Sequence, residues 1–323
     1  MHIRAPQDFD ASTQVIDSIG TTTPSDTAWL TDFIPLGFIP GSIAMSPDEK
    51  TLYISHQDAS AISVIDVLTG QTTKEIYDAG AGRITVSPDG CLLYTLANNR
   101  CYVIDTQTHE ISESIPAPKA NRTLCTPNRR YLGMSFANVP GGIVRLVDLD
   151  DHDSVLDFDL GAMSDSSLVL ASSPDSSVFY AAMTDEGADS TTLSVIDTTD
   201  YSQVDIPGFR DPQSMVVSPD GRFLYVGGRD GVYFVDASSR RMLGVVEVGL
   251  PDYQVEVVGI TPDGRHVYAV NSQSGELYRV DTADGKATCV TVLSAAEGSV
   301  MSADGTRLYT VHSDLQWISI HAL

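Results

Sequence analysis

A short phrase returns seven times along this chain: Ser/Thr-Pro-Asp, a small gap, then a large apolar residue and usually Tyr. Clear copies are Ser46-Pro47-Asp48 before Leu52-Tyr53, Ser87-Pro88-Asp89 before Leu93-Tyr94, and Ser173-Pro174-Asp175 before Phe179-Tyr180. Ser218-Pro219-Asp220 before Leu224-Tyr225 and Thr261-Pro262-Asp263 before Val267-Tyr268 continue the series. Thr126-Pro127-Asn128 with Leu132-Gly133 is a degenerate third copy, and Ser302-Ala303-Asp304 with Leu308-Tyr309 is the last. Successive copies lie 41, 39, 47, 45, 43 and 41 residues apart. A period of this length is the signature of small β-sheets repeated about an axis.

The second repeat serves for all. Arg83 to Val86 is a short β-favouring run. Ser87-Pro88-Asp89-Gly90 is a turn, in which Pro presets φ, Asp bonds the backbone ahead and Gly accepts positive φ. Leu92 to Leu96, Cys101 to Asp105 and the more polar Glu110 to Ile115 are three further strands. Four antiparallel strands of falling hydrophobicity make one propeller blade, innermost first. The expected fold is therefore an all-β, seven-bladed β-propeller. The last repeat runs out after three strands (the third read at 315–320), while Ala28 to Ile34 reads as a fourth strand. That N-terminal strand is expected to complete the last blade and close the ring. Gln14 to Asp17 also resembles a third strand and competes for that place. Residues 1–25 are read as an extension and 26–323 as one propeller domain.

Formal net charge is -24, with only four Lys. This argues against a nucleic-acid backbone or an anionic membrane as partner. Asp greatly outnumbers Glu, either because Asp is built into the repeat or because the chain is adapted to high salt. The third-strand Asp recurs as Asp66, Asp105, Asp148, Asp197, Asp236 and Asp281, each before a turn, so it is assigned to turn formation rather than to metal chemistry. Four cysteines include no Cys-x-x-Cys pair, which removes zinc and haem-attachment motifs, and free buried thiols are expected. There is no flavin or nucleotide motif. Neither a signal peptide nor an apolar stretch long enough to span a bilayer is seen, so a soluble, cytoplasmic protein is expected.

Ser218-Pro219-Asp220-Gly221-Arg222-Phe223-Leu224-Tyr225-Val226 and Ser194-Val195-Ile196-Asp197-Thr198 resemble the repeat of the YVTN-type (lactonase-like) propellers. The resemblance covers roughly 28–323 and implies the fold. It implies little about activity, since that superfamily holds surface-layer proteins, hydrolases, a lyase and dehydrogenase subunits. The Pro-Arg-His of its gluconolactonase branch is absent: the equivalent stretches read Pro40-Gly41-Ser42 and Pro212-Gln213-Ser214.

What recurs is structural, so function is sought where the copies differ. Three residues after the Tyr position stand His56, Ala97, Phe136, Met183, Gly228, Asn271 and His312. The two histidines fall in blades one and seven, neighbours in a closed ring. Five residues before the turn Ser/Thr stand Gly41, Gly82, Asn121, Leu168, Gln213, Glu256 and Glu297, and one place later blades two and three offer Arg83 and Arg122. A funnel at one mouth of the central channel is expected. His56, His312, Glu256 and Glu297 are its candidate catalytic groups, able to move protons or hold a divalent metal. Arg83, Arg122, Asn271, Phe38 and Tyr253 are its candidate ligand-binding groups, the arginines for a carboxylate or enolate. The chemistry expected there is hydrolysis, elimination or cyclisation of a small, anionic organic molecule. The alternative is a non-catalytic scaffold for a protein partner.

Overall fold

The computed structural model describes residues 30–80, 82–136, 141–151, 154–162, 167–184, 190–249, 253–293 and 296–323. Seven separate four-stranded antiparallel sheets follow one another, each ordered as in the chain except the last. Blade two has strands Ile84–Val86, Leu92–Ala97, Arg100–Asp105 and Ile111–Pro116, within a residue or so of the expected positions. The seventh sheet takes Ala296–Met301, Arg307–His312 and Trp317–Ala322 from the C-terminus and Leu30–Pro35 from the other end of the chain. Phe33 pairs with Ser319 and Ile34 with Ile318, so the ring is closed by strand pairing rather than by a covalent link. The third strand of that blade begins at Trp317, two residues later than expected. The competing segment Gln14 to Asp17 lies outside the described residues. Inner strands touch their neighbours all the way round, with Ala296–Met301 returning against Pro40–Met45.

The repeated phrase holds each blade's first hairpin. Ser46 Oγ donates to Asp48 Oδ1 at 2.7 Å and accepts from the Thr51 amide at 3.0 Å. The same pair of bonds recurs in every repeat, including Thr126 with Asn128 and Ser302 with Asp304. The third-strand aspartates accept from amides in the turn that follows: Asp66 from Thr69, Asp105 from Thr108, Asp236 from Ser239. Both sets of carboxylates are turn-formers, as the sequence implies. The core lies between blades. Leu52 and Ile54 of blade one pack against Tyr309, Val311 and Ile318 of blade seven, and Ile34 of the closing strand joins them. All four cysteines are free; Cys101 and Cys125 are buried as expected, whereas Cys91 and Cys289 are exposed. No helix among the described residues is long and apolar enough to cross a membrane.

Candidate functional site

A blade's sheet stands roughly on edge to the central axis, so its side chains alternate between the two neighbouring blades. Few regular strand positions face the channel. The residues that do so sit where the inner strands begin, and there the pairing slips. The register shifts between Pro40 and Ile43 in blade one, between Ala120 and Arg122 in blade three, and between Ala296 and Gly298 in blade seven. Such bulges re-aim a side chain.

The result is a polar cavity of about 480 Å³ at the mouth where the inner strands start. Its charged lining is Arg83 of blade two, Arg122 of blade three and Glu256 of blade six. Gln57, Gln213 and Ser214 supply neutral polar groups. A second cavity of about 240 Å³ continues inward and shares Arg83, Arg122 and Ser214 with the first. The two arginines thus stand between the mouth and the interior of the channel.

Among the described residues neither guanidinium has an ordinary partner. Arg83 forms no ion pair or hydrogen bond among the described residues. Arg122 Nε is buried without a hydrogen-bond partner. Burial, and then the positive charge of Arg83, push Arg122 down to about 10, with Glu256 opposing them. Arg122 still carries its charge at neutral pH. Two like charges with an unsatisfied donor between channel walls make a site short of negative charge. Glu256 faces it from blade six and makes no ion pair with either arginine.

The two histidines lie elsewhere. His56 ends the second strand of its blade and points across that blade. Its Nε2 lies 2.8 Å from Ser63 Oγ, and Ser63 donates to Glu75 Oε1 at 2.7 Å. Because the serine hydrogen goes to the glutamate, His56 Nε2 is the donor to Ser63. The order is the reverse of a nucleophile relay, in which the imidazole must accept from the serine. Ser63 is fully buried as well. Phe38 stacks on the His56 ring at 3.5 Å between centroids. Burial holds the His56 imidazole below its ordinary range, against the pull of Glu75 and Asp58. His312 repeats this placement: its Nε2 lies 2.7 Å from Ser319 Oγ, which lies 2.7 Å from His321 Nε2. The equivalence of His56 and His312 is real, but it is an equivalence inside blades.

Asn271 is also buried inside its blade, where Oδ1 accepts from the Gln273 and Ser274 amides. Tyr253 is half-buried and does not line the channel cavity. Glu297 is the second residue of the inner strand of blade seven, and its side chain lies outside the described residues. Among the described residues no three His, Cys, Asp or Glu come together in a way that would hold a metal ion. Sequence reasoning chose Arg83, Arg122 and Glu256 and passed over Gln57, Gln213, Ser42 and Ser214. A signal for three of these existed, since Ser42 and Ser214 occupy the same repeat position as the arginines and Gln213 that of Glu256.

No protein-family model matches this chain, and no curated protein sequence matches it. Solved structures do. A chain of the hydrazine synthase of Kuenenia stuttgartiensis superposes with a TM-score of 0.74 at 16% identity, covering 94% of this chain and 99% of its own length. A chain from a mitotic checkpoint complex superposes at 0.73 with 15% identity, covering 97% of this chain and 99% of its own. Identities this low show a shared propeller fold and nothing finer.

Proposed function

We propose that the protein binds a small organic anion at the mouth of its central channel, held by Arg83 and Arg122 with Glu256 opposite. The observation that carries this reading is Arg122 Nε, buried beside a second arginine and without a partner among the described residues. A carboxylate or enolate oxygen seated there would satisfy that donor and relieve the repulsion between the guanidiniums. Gln57, Gln213 and Ser214 would orient the remainder of the molecule. Among the described lining residues only Glu256 has the side chain to accept a proton, so any hydrolysis, elimination or cyclisation in this channel would use it as the base.

The test begins with native mass spectrometry of the purified protein, followed by calorimetric titration of mono- and dicarboxylates. Arg122→Gln is expected to weaken the best ligand by at least about tenfold, the loss of a charged hydrogen bond. Glu256→Gln should spare binding and remove any turnover. Equal affinity in the wild type and Arg122→Gln would sink the reading. The second reading, a protein-interaction platform, is supported by exposed Leu243 and Val245 on the outer strand of blade five and by the fold's likeness to a chain of a multiprotein complex.

A further inference from the structure

A third cavity, of about 560 Å³, opens between blades five and six on the face that carries the Ser-Pro-Asp turns. Its wall is aromatic. Phe223, Tyr225 and Phe234 line it together, with ring centroids 6.4 Å apart for Phe223–Tyr225 and 5.0 Å for Tyr225–Phe234. The combination is peculiar to blade five. In the other six blades the third-strand residue opposite the Tyr position is Val, Leu, Arg or Ile; here it is Phe234.

The strand outside that aromatic row is peculiar too. Phe234 pairs with Gly244 on the outer strand Arg241–Val246. In the other blades the corresponding outer-strand residues are Lys74, Glu113, Leu156, Val204, Thr288 and Asp32. A Cβ built on Gly244 meets nothing within 4 Å. The missing side chain leaves the Phe234 ring uncovered at the one place where the strand could have covered it.

The rim of the cavity is acidic. Asp220 and Asp263 come from the turns of blades five and six. Each uses Oδ1 for its own turn, accepting from Ser218 Oγ and Thr261 Oγ1 at 2.6 Å. Those bonds hold both carboxyls below their usual range, so both are ionised at neutral pH. Asp263 Oδ2 also lies 3.6 Å from Arg265 Nε in an exposed pair, whereas Asp220 has no ion pair among the described residues. Outside the cavity lining, Arg222 lies over Phe223, 5.5 Å from the ring centre. The chain's formal charge of -24 adds a long-range pull on cations and repels a second copy of itself.

We propose that this cleft is a binding site for a small organic cation with an apolar body, such as an alkylammonium compound free in solution. The part-exposed rings of Phe234 and Phe223 would take the cation and its methyl groups, with the buried Tyr225 backing Phe234, and Asp220 and Asp263 would supply the counter-charge. This site is separate from the channel and does not depend on anion binding there.

The test is calorimetric titration with choline and with neopentylcarbinol, its uncharged carbon isostere. Choline should bind at least about tenfold more tightly than the isostere, because only the ammonium gains from ring faces and carboxylates. Gly244→Leu should fill the cleft and weaken choline by at least about tenfold while leaving the melting temperature unchanged, since nothing stands in its way. The double variant Asp220→Asn with Asp263→Asn should narrow the preference for choline over the isostere. Equal binding of the two compounds, undiminished binding by Gly244→Leu, or no binding of choline at millimolar concentration would each overturn the proposal. So would a trimethyllysine peptide that binds far more tightly than choline, which would assign the site to a protein side chain instead.

Discussion

Gly133 occupies the position that holds Tyr in the other six repeats, and one neighbour accounts for it. A Cβ on Gly133 would lie 2.2 Å from Cζ of Phe179, which is fully buried. Phe179 is the aromatic exception at its own repeat position, where the others carry Leu or Val. Blade four thus fills from across the interface the space that blade three leaves empty. Gly133→Ala is expected to destabilise by about 1–3 kcal/mol through overpacking. Combined with Phe179→Leu it should cost much less than the sum of the single changes, a coupling that denaturant unfolding of the double-mutant cycle measures. A purely additive result would mean that the two residues do not share the space. The same scale holds the lesson of His56 and Arg122. Both stand out as exceptions in the repeat. Burial and a bonded Nε2 make the first structural, whereas a partnerless Nε makes the second a candidate for binding.

Among the elements, the closing strand Leu30–Pro35 is the one that comes from the N-terminal side of the chain into the last blade. Its Ile34 is 5% exposed and packs in the cluster shared by blades seven and one. Ile34→Ala should cost about 2–4 kcal/mol, the usual range for a truncated core aliphatic. That loss falls on the strand that joins the two ends of the ring. Hydrogen exchange is therefore expected to rise first in Trp317–Ala322, the strand it pairs with, before the middle blades respond. Uniform acceleration over all blades would instead show that the ring opens as a single cooperative unit.

At the scale of the whole molecule, the closing blade should also be the acid-sensitive one. His321 is buried there, and burial followed by the charge of His312 pushes it down to about 4. Its folded value lies below the ordinary 6.5, so the unfolded chain takes up the proton first. The neutral imidazole therefore favours the fold fully above the unfolded value, and that contribution is lost as pH falls from there through the folded one. The urea midpoint should drop across this window, and His321→Phe should flatten the drop; an unchanged slope would place the acid sensitivity elsewhere. By itself the sequence determined the seven blades, their four strands, the turn chemistry of Ser-Pro-Asp and the N-terminal closing strand. Each of these follows from local rules repeated at a fixed period, and repetition averages out the ambiguity of any single copy. It also marked Arg83, Arg122 and Glu256, whose positions at the start of the inner strands place them in one cavity. Only the tertiary structure decided which exceptions face the channel and which face a neighbouring blade. A strand shows both its faces alike to sequence reasoning, and a slip of one residue exchanges them. His56 and His312 fall on the blade side of that divide. The bare face of Phe234 was out of reach for the same reason, because it arises from pairing with Gly244, a register that exists only once the sheet has formed.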